Sequence, residues 1–192
     1  MIVTAASEVT WEPAQPILIP GSEAPLKAFQ TSGEGYKDQC FIYDRYVVEG
    51  PAEANAGEGD LVIFRRGSRP PTDPKVTCST EGADILLRLS AYYLGLWGDY
   101  IFTDVGTDVM GSFYVYRIDQ PKVVYQTTWA RDAKLAQIKS GKLTLSIEQM
   151  ETGNCKSKMH GFIPWMATRI SIDLTKTIEV KEIGPRTCTE HG

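Results

Sequence analysis

The side chains with which this chain could make or break bonds are two histidines, four cysteines and 24 acids. Histidine is the usual general base near neutral pH. His191 is the penultimate residue and is expected to lack fixed structure, which leaves His160 to carry any histidine-dependent mechanism. Cys155 precedes it by five residues, a spacing that suggests a thiol nucleophile, but a disulfide would consume the thiolate. Ser112, in MGSF, matches no nucleophile motif, and no GxSxG elbow occurs. In DVGTD, Asp104 and Asp108 offer two carboxylates to a calcium ion that wants roughly six to eight oxygens. EF-hand spacing is absent, so Asp and Gly are read as shaping a tight connection. The acidic loop of Glu53, Glu58 and Asp60 reads as a solvated hairpin end. No phosphate-cradling GxxxxGK[ST] is present. Without CxxC or a Cys/His pair at zinc spacing, neither a metal nor a cofactor is expected. Paired carboxylates for hydrolysis meet only in the fold, and nothing local selects a pair.

One stretch has the composition of a binding loop. CKSKMHGFIPWMATR, Cys155 to Arg169, sets Lys156, Lys158 and His160 among Met159, Phe162, Trp165 and Met166, around Gly161 and Pro164. Trp, Met and Arg are enriched at interfaces, and a proline-stiffened loop loses less entropy on binding. Lys156, Lys158, His160, Phe162, Trp165 and Met166 are therefore the candidate contact residues. The competing reading buries Phe162, Trp165 and Met166 into a sheet as a strand begins.

The elements that must hold such a loop follow from composition and pattern. A chain of 192 residues, 42% hydrophobic, suffices for one well-buried core or two small ones. Its net charge of −4 and its lack of a basic, aromatic-interleaved cluster give no nucleic-acid footprint. No apolar run approaches the roughly 18–20 residues of a membrane-spanning helix. Four isolated cysteines suit two disulfides in an oxidising compartment. Of the three connectivities, Cys40–Cys78 with Cys155–Cys188 is favoured, because it staples each half of the chain locally. The opening MIVTAASEVTWEP lacks the basic and apolar regions of a signal peptide. Removal of an export signal, with an added initiator Met, would reconcile that start with the cysteines.

Residues 1–37 carry Pro13, Pro16, Pro20 and Pro25 with three glycines, and read as an extended arm or membrane tether. Within it, Pro16–Pro20 could add one edge strand. Residues 38–192 read as a single β-rich domain. CFIYDRYVVEG and DLVIFRRG are strand-like runs around the loop PAEANAGEG. SRPPTDPKVTCS is a connection expected to end in a short strand. Ala83–Trp97 suits either a buried helix or two strands, with Tyr92, Tyr93, Trp97 and Gly95 favouring strands. DYIFTD, SFYVYRI and KVVYQTTW form successive hairpins, and RISIDLTKTIEVKEI repeats that grammar. AQIKSGKLTLSIEQM hinges at Ser140-Gly141. The fold class is all-β, an antiparallel meander forming a sandwich or partly closed barrel.

The GDYIFTDVGT hairpin, a later cysteine, a DL-T-K turn and a near-terminal cysteine resemble uncharacterised bacterial periplasmic or lipoprotein domains over roughly Cys40 to Cys188. The resemblance implies an extracytoplasmic location and a β-rich fold. The expected function is non-enzymatic recognition of a protein partner, as by an inhibitor or immunity-type protein. The alternatives are an envelope hydrolase using paired carboxylates and a carrier of a small ligand or lipid.

Overall fold

The computed structural model describes residues 10–15, 17–32, 37–51, 60–106, 111–129, 136–150, 163–175 and 178–191. The first strands are β1 (Trp11–Pro13), β2 (Lys27–Thr31), β3 (Asp38–Ile42), β4 (Tyr46–Pro51) and β5 (Leu61–Arg65). A single turn of helix, α1 (Pro74–Thr77), precedes β6 (Ile85–Leu89), β7 (Tyr92–Trp97) and β8 (Tyr100–Val105). Then come β9 (Gly111–Arg117), β10 (Lys122–Trp129), β11 (Ala136–Lys139) and β12 (Lys142–Met150). The last are β13 (Ile163–Asp173), β14 (Glu179–Glu182) and β15 (Thr187–His191). The chain is all-β, with two antiparallel sheets that strand pairing does not close into a barrel. It divides into two compact units, Met1–Pro16 with Ala24–Tyr92, and Ile17–Glu23 with Tyr93–Gly192. The stretch expected as an arm ahead of a single domain supplies β1 and β2 to the first sheet and Ile17–Glu23 to the second unit.

The first unit holds the sheet β1-β2-β3-β4-β5-β6 in sequential order. The run CFIYDRYVVEG is two strands, not one, because the chain reverses at Asp44-Arg45, where Tyr43 N–H donates to the Tyr46 carbonyl (2.9 Å). On one face Cys40, Ile42, Val47, Val62 and Phe64 pack with Cys78. Cys40 and Cys78 form a disulfide with Cα atoms 6.0 Å apart. The strand expected at the end of SRPPTDPKVTCS is instead α1, since Asp73 caps the helix by accepting from Lys75 N–H (3.1 Å) and Pro74 starts it. Arg69 organises this loop. Its guanidinium lies 5.1 Å from the Phe64 ring centre and donates to the carbonyls of Thr77, Ser79 and Glu81. Phe41, Val48, Leu61 and Ile63 on the opposite face are buried as well. Burial of both faces explains the continuous apolar runs of β4 and β5.

The second unit holds β14-β13-β12-β10-β9-β8-β7, with β11 paired to β12 and β15 to β13. Its core gathers Phe102, Phe113, Val115, Leu143, Leu145, Ile170 and Ile172, among others. β10 and β11 share one edge of β12, as Trp129 opposes Ile147 and Ala136 opposes Leu145. β10 therefore leaves β12 at Trp129, and β11 resumes the pairing. Trp129 is fixed there by its indole N–H, which donates to Asp104 (2.8 Å). Asp104 is thus a buried strand residue on β8, while Asp108 and the acidic residues Glu53 and Glu58 lie outside the described residues.

The segment Ile17–Glu23 crosses from β7 to β11 as a strap. Ile19 and Glu23 N–H donate to Leu94 and Leu96 carbonyls (2.8 and 2.7 Å), and Ile138 N–H donates to the Pro20 carbonyl (2.7 Å). Gly21 takes a φ of 87°, and a Cβ there would collide with the Ile138 carbonyl. The β11–β12 hairpin turns on Ser140 (φ 51°) and Gly141 (φ 73°), the paired positive angles of a type I′ turn. Ala83–Trp97, ambiguous by pattern, contains β6 and β7. The chain end, expected to lack structure, forms β15, with His191 opposite Ile163. Cys188 in β15 is disulfide-bonded, and its expected partner Cys155 lies outside the described residues.

Candidate functional site

KVVY, at the start of β10, breaks the two-residue alternation of a strand. The break is a bulge: Val123 opposes Tyr116 and Tyr125 opposes Val115, leaving Val124 unmatched. Val124 and Tyr125 both pack against the core, while Val123 is 44% exposed. Tyr100, Arg117 and Lys122 stand opposite one another across β8, β9 and β10. This polar row rims a cleft of about 890 Å³ in the second unit. Trp97, Val124, Leu174 and Ile178 supply its apolar walls, and Gly98, Asp99 and Thr175 sit at the turns beside them. Polar and apolar surface line this cleft in about equal measure, so it offers both a hydrophobic wall and polar groups to a ligand.

The charges of the rim are unequal in freedom. Arg117 donates through two nitrogens to the Asp119 carboxylate (2.7 and 2.9 Å). That hydrogen-bonded pair raises the guanidinium pKa and holds the Asp119 carboxyl below its usual range, with the Asp99 charge adding to the effect on Arg117. Lys122, by contrast, has no ion-pair partner among the described residues. Glu23, at the end of the strap, accepts from Gly98 N–H (2.5 Å) and so holds the β7–β8 turn at the cleft wall.

A second cluster of charge lies in the first unit. Cys40, Glu49, Val62 and Arg88 oppose one another across β3 to β6, so Glu49 shares the face of the disulfide. Burial pushes the Glu49 carboxyl up to about 7, the Asp38 charge adds to this, and Arg88 opposes it. Asp38 is itself raised by burial. Arg88 is bonded to Asp60 (2.9 Å). Among the described residues no group of three His, Cys, Asp or Glu is placed to hold a metal ion.

Of the residues expected to form the binding loop, Lys156, Lys158, His160 and Phe162 lie outside the described residues. Trp165 and Met166 are half-buried in β13, opposite Met150 and Gln149. Neither the cleft nor Glu49 was singled out from the sequence. The adjacent valines of KVVY were a local signal for the bulge, but the meeting of β10 with the β13–β14 turn is a long-range fact. Glu49 has no local signal, since its neighbours come from β3 and β6. Comparison with protein-family models, curated proteins and solved structures finds no match to this chain.

Proposed function

We propose that the protein is an exported, non-catalytic binding protein that recognises another macromolecule through the cleft of its second unit, in the manner of an inhibitor or immunity-type protein. The cleft carries this reading: an open seat of mixed polar and apolar lining, with a tied Arg117 and, among the described residues, an untied Lys122 at its rim. The Cys40–Cys78 bridge supports an oxidising compartment, periplasmic in the bacterial reading. Affinity capture from an envelope extract tests the proposal, with wild type beside Lys122→Glu/Val123→Asp and circular dichroism confirming both folds. A partner held by wild type and lost by the variant, then reconstituted from purified proteins, is the expected result. Equal retention by both would overturn the assignment to the cleft.

One observation favours a second reading, an envelope hydrolase working through paired carboxylates. A carboxyl raised to about 7 beside a second acid has the character of a general acid. That reading requires hydrolysis of a glycoside or ester panel that disappears in Glu49→Gln. Activity unchanged by that substitution removes it.

A further inference from the structure

We propose that the cleft of the second unit is a saccharide site, which takes uncharged pyranose units of a glycan chain carried by the macromolecule. This rests on the binding reading above and names the chemistry that the cleft contacts. The rim sets cations and carboxylates side by side. Arg117 is bonded to Asp119 (2.7 and 2.9 Å), and Asp99 lies close enough for its charge to help raise the Arg117 pKa. Lys122 stands opposite Arg117, and Glu23 holds Gly98 N–H. Arg117 and Lys122 against Asp99, Asp119 and Glu23 come close to balance, so the rim offers an ion little net attraction. A charged group entering there meets its own sign beside its opposite. Hydroxyl groups, which donate and accept at once, suit both. A guanidinium has more donors than one two-pronged pair uses, so a hydroxyl can bond to Arg117 without dissolving its link to Asp119. Asp99 and Thr175 line the cleft with further acceptors, and the Thr175 hydroxyl is aimed by donating to Asp173 (2.6 Å).

The wall supplies the other half of sugar chemistry. Trp97 lines the cleft, and its ring edge packs on the bare backbone of Gly141, where a Cβ would come within 3.2 Å of it. The negative face of an aromatic ring attracts the C–H groups that cover the face of a pyranose. A ring laid on that wall turns its hydroxyl-bearing edge to the polar rim, which matches a lining shared between polar and apolar surface. The volume of about 890 Å³ falls at the large end of small-ligand seats, roughly 300–1,000 Å³, and has room for more than one sugar unit.

The test is isothermal titration calorimetry of the full chain against neutral tetrasaccharides of glucose, mannose, galactose and N-acetylglucosamine, with tetragalacturonate as the charged control. One neutral series should bind, and its affinity should hold from about 0.1 to 1 M salt, a range over which an ionic contact is screened. Trp97→Ala should weaken binding about tenfold or more. Arg117→Lys, which keeps the charge but loses the planar fork, should weaken it about tenfold. Circular dichroism confirms both folds, and if Trp97→Ala does not fold, Arg117→Lys decides the matter by itself. No binding to any neutral series, preference for tetragalacturonate, an affinity that falls with salt, or full affinity in the folded variants would each overturn the proposal. Should a partner captured through the cleft be displaced by no tetrasaccharide, the binding reading stands and the saccharide inference alone fails.

Discussion

Cutting the Cys40–Cys78 bridge should loosen the first unit by an amount that can be worked out beforehand. The bridge closes a loop with a sequence separation of 38. Loop-closure entropy for that length corresponds to about 4 kcal/mol at room temperature. Both sulfurs lie in the core cluster with Ile42, Val47 and Phe64, so Cys40→Ala/Cys78→Ala also removes some packing and the loss should not fall below that figure. Amide hydrogen exchange over β3 to β5 reads the effect directly, since globally protected amides report the full unfolding free energy. Exchange should accelerate roughly a thousandfold, because each 1.4 kcal/mol is a factor of ten. Wild type held in reductant keeps the packing of both sulfurs and should lose somewhat less than the double variant, which separates the covalent link from the substitutions. A slowing or acceleration of less than about tenfold in both samples would refute the reasoning. It would mean that Arg69 and its three carbonyl contacts, not the bridge, hold the loop over the sheet.

Trp129→Phe should cost about 3 kcal/mol, from a lost hydrogen bond to a carboxylate of about 2 and a small cavity of about 1. Thermal unfolding is the measurement, and Asp104→Asn, which keeps an acceptor, should cost less. Thr103 is fully buried and its hydroxyl has no hydrogen-bond partner among the described residues. Thr103→Val should therefore raise stability by about 1 kcal/mol in a denaturant titration, and a destabilised variant would show that the hydroxyl is satisfied in solution. Glu49 predicts a pH dependence of defined sign. Its folded-state pKa of about 7 exceeds the ordinary 4.5, so the folded state binds the extra proton between those values and stability falls as pH rises from 4.5 to 7. After discounting for its partial exposure, the loss is about 1–2 kcal/mol. Glu49→Gln should flatten that part of the stability–pH curve, and a curve that keeps its slope would contradict the assignment.

What could be read in the sequence was whatever lies within a few residues. Ser140-Gly141 announces its hairpin because only a few residues tolerate two consecutive positive φ angles, and the alternation of SFYVYRI places Phe113 and Val115 on one face without any long-range knowledge. Cys40 and Cys78 are an intermediate case: isolation suggests bridging, and loop length alone suggests the partner. The helical turn at Pro74 was hidden by the β-branched Val76 and Thr77, although Asp73-Pro74 is a cap-and-start pair. Two features were beyond local reading. The strap needs β7 and β11 to arrive on either side of Ile19, and the cleft needs the β13–β14 turn to come beside Lys122. Sequence proximity carries no information about either meeting, and the bulge at Val124 only hints that something is re-aimed.

The strap has a consequence for the order in which the molecule can be completed. Synthesis delivers Ile17–Glu23 early, yet its hydrogen-bonding partners, Leu94, Leu96 and Ile138, emerge only after all of β1 to β6. During that interval Ile19, almost wholly buried in the finished protein, has nowhere to go. Completion of the second unit therefore includes the capture of a segment made long before, which cannot finish until β11 has been made. A fragment beginning at Tyr93 would inherit an unfilled slot in its core and two uncovered strand edges, the ordinary starting material for aggregation. Supplying the missing heptapeptide in trans should seal it.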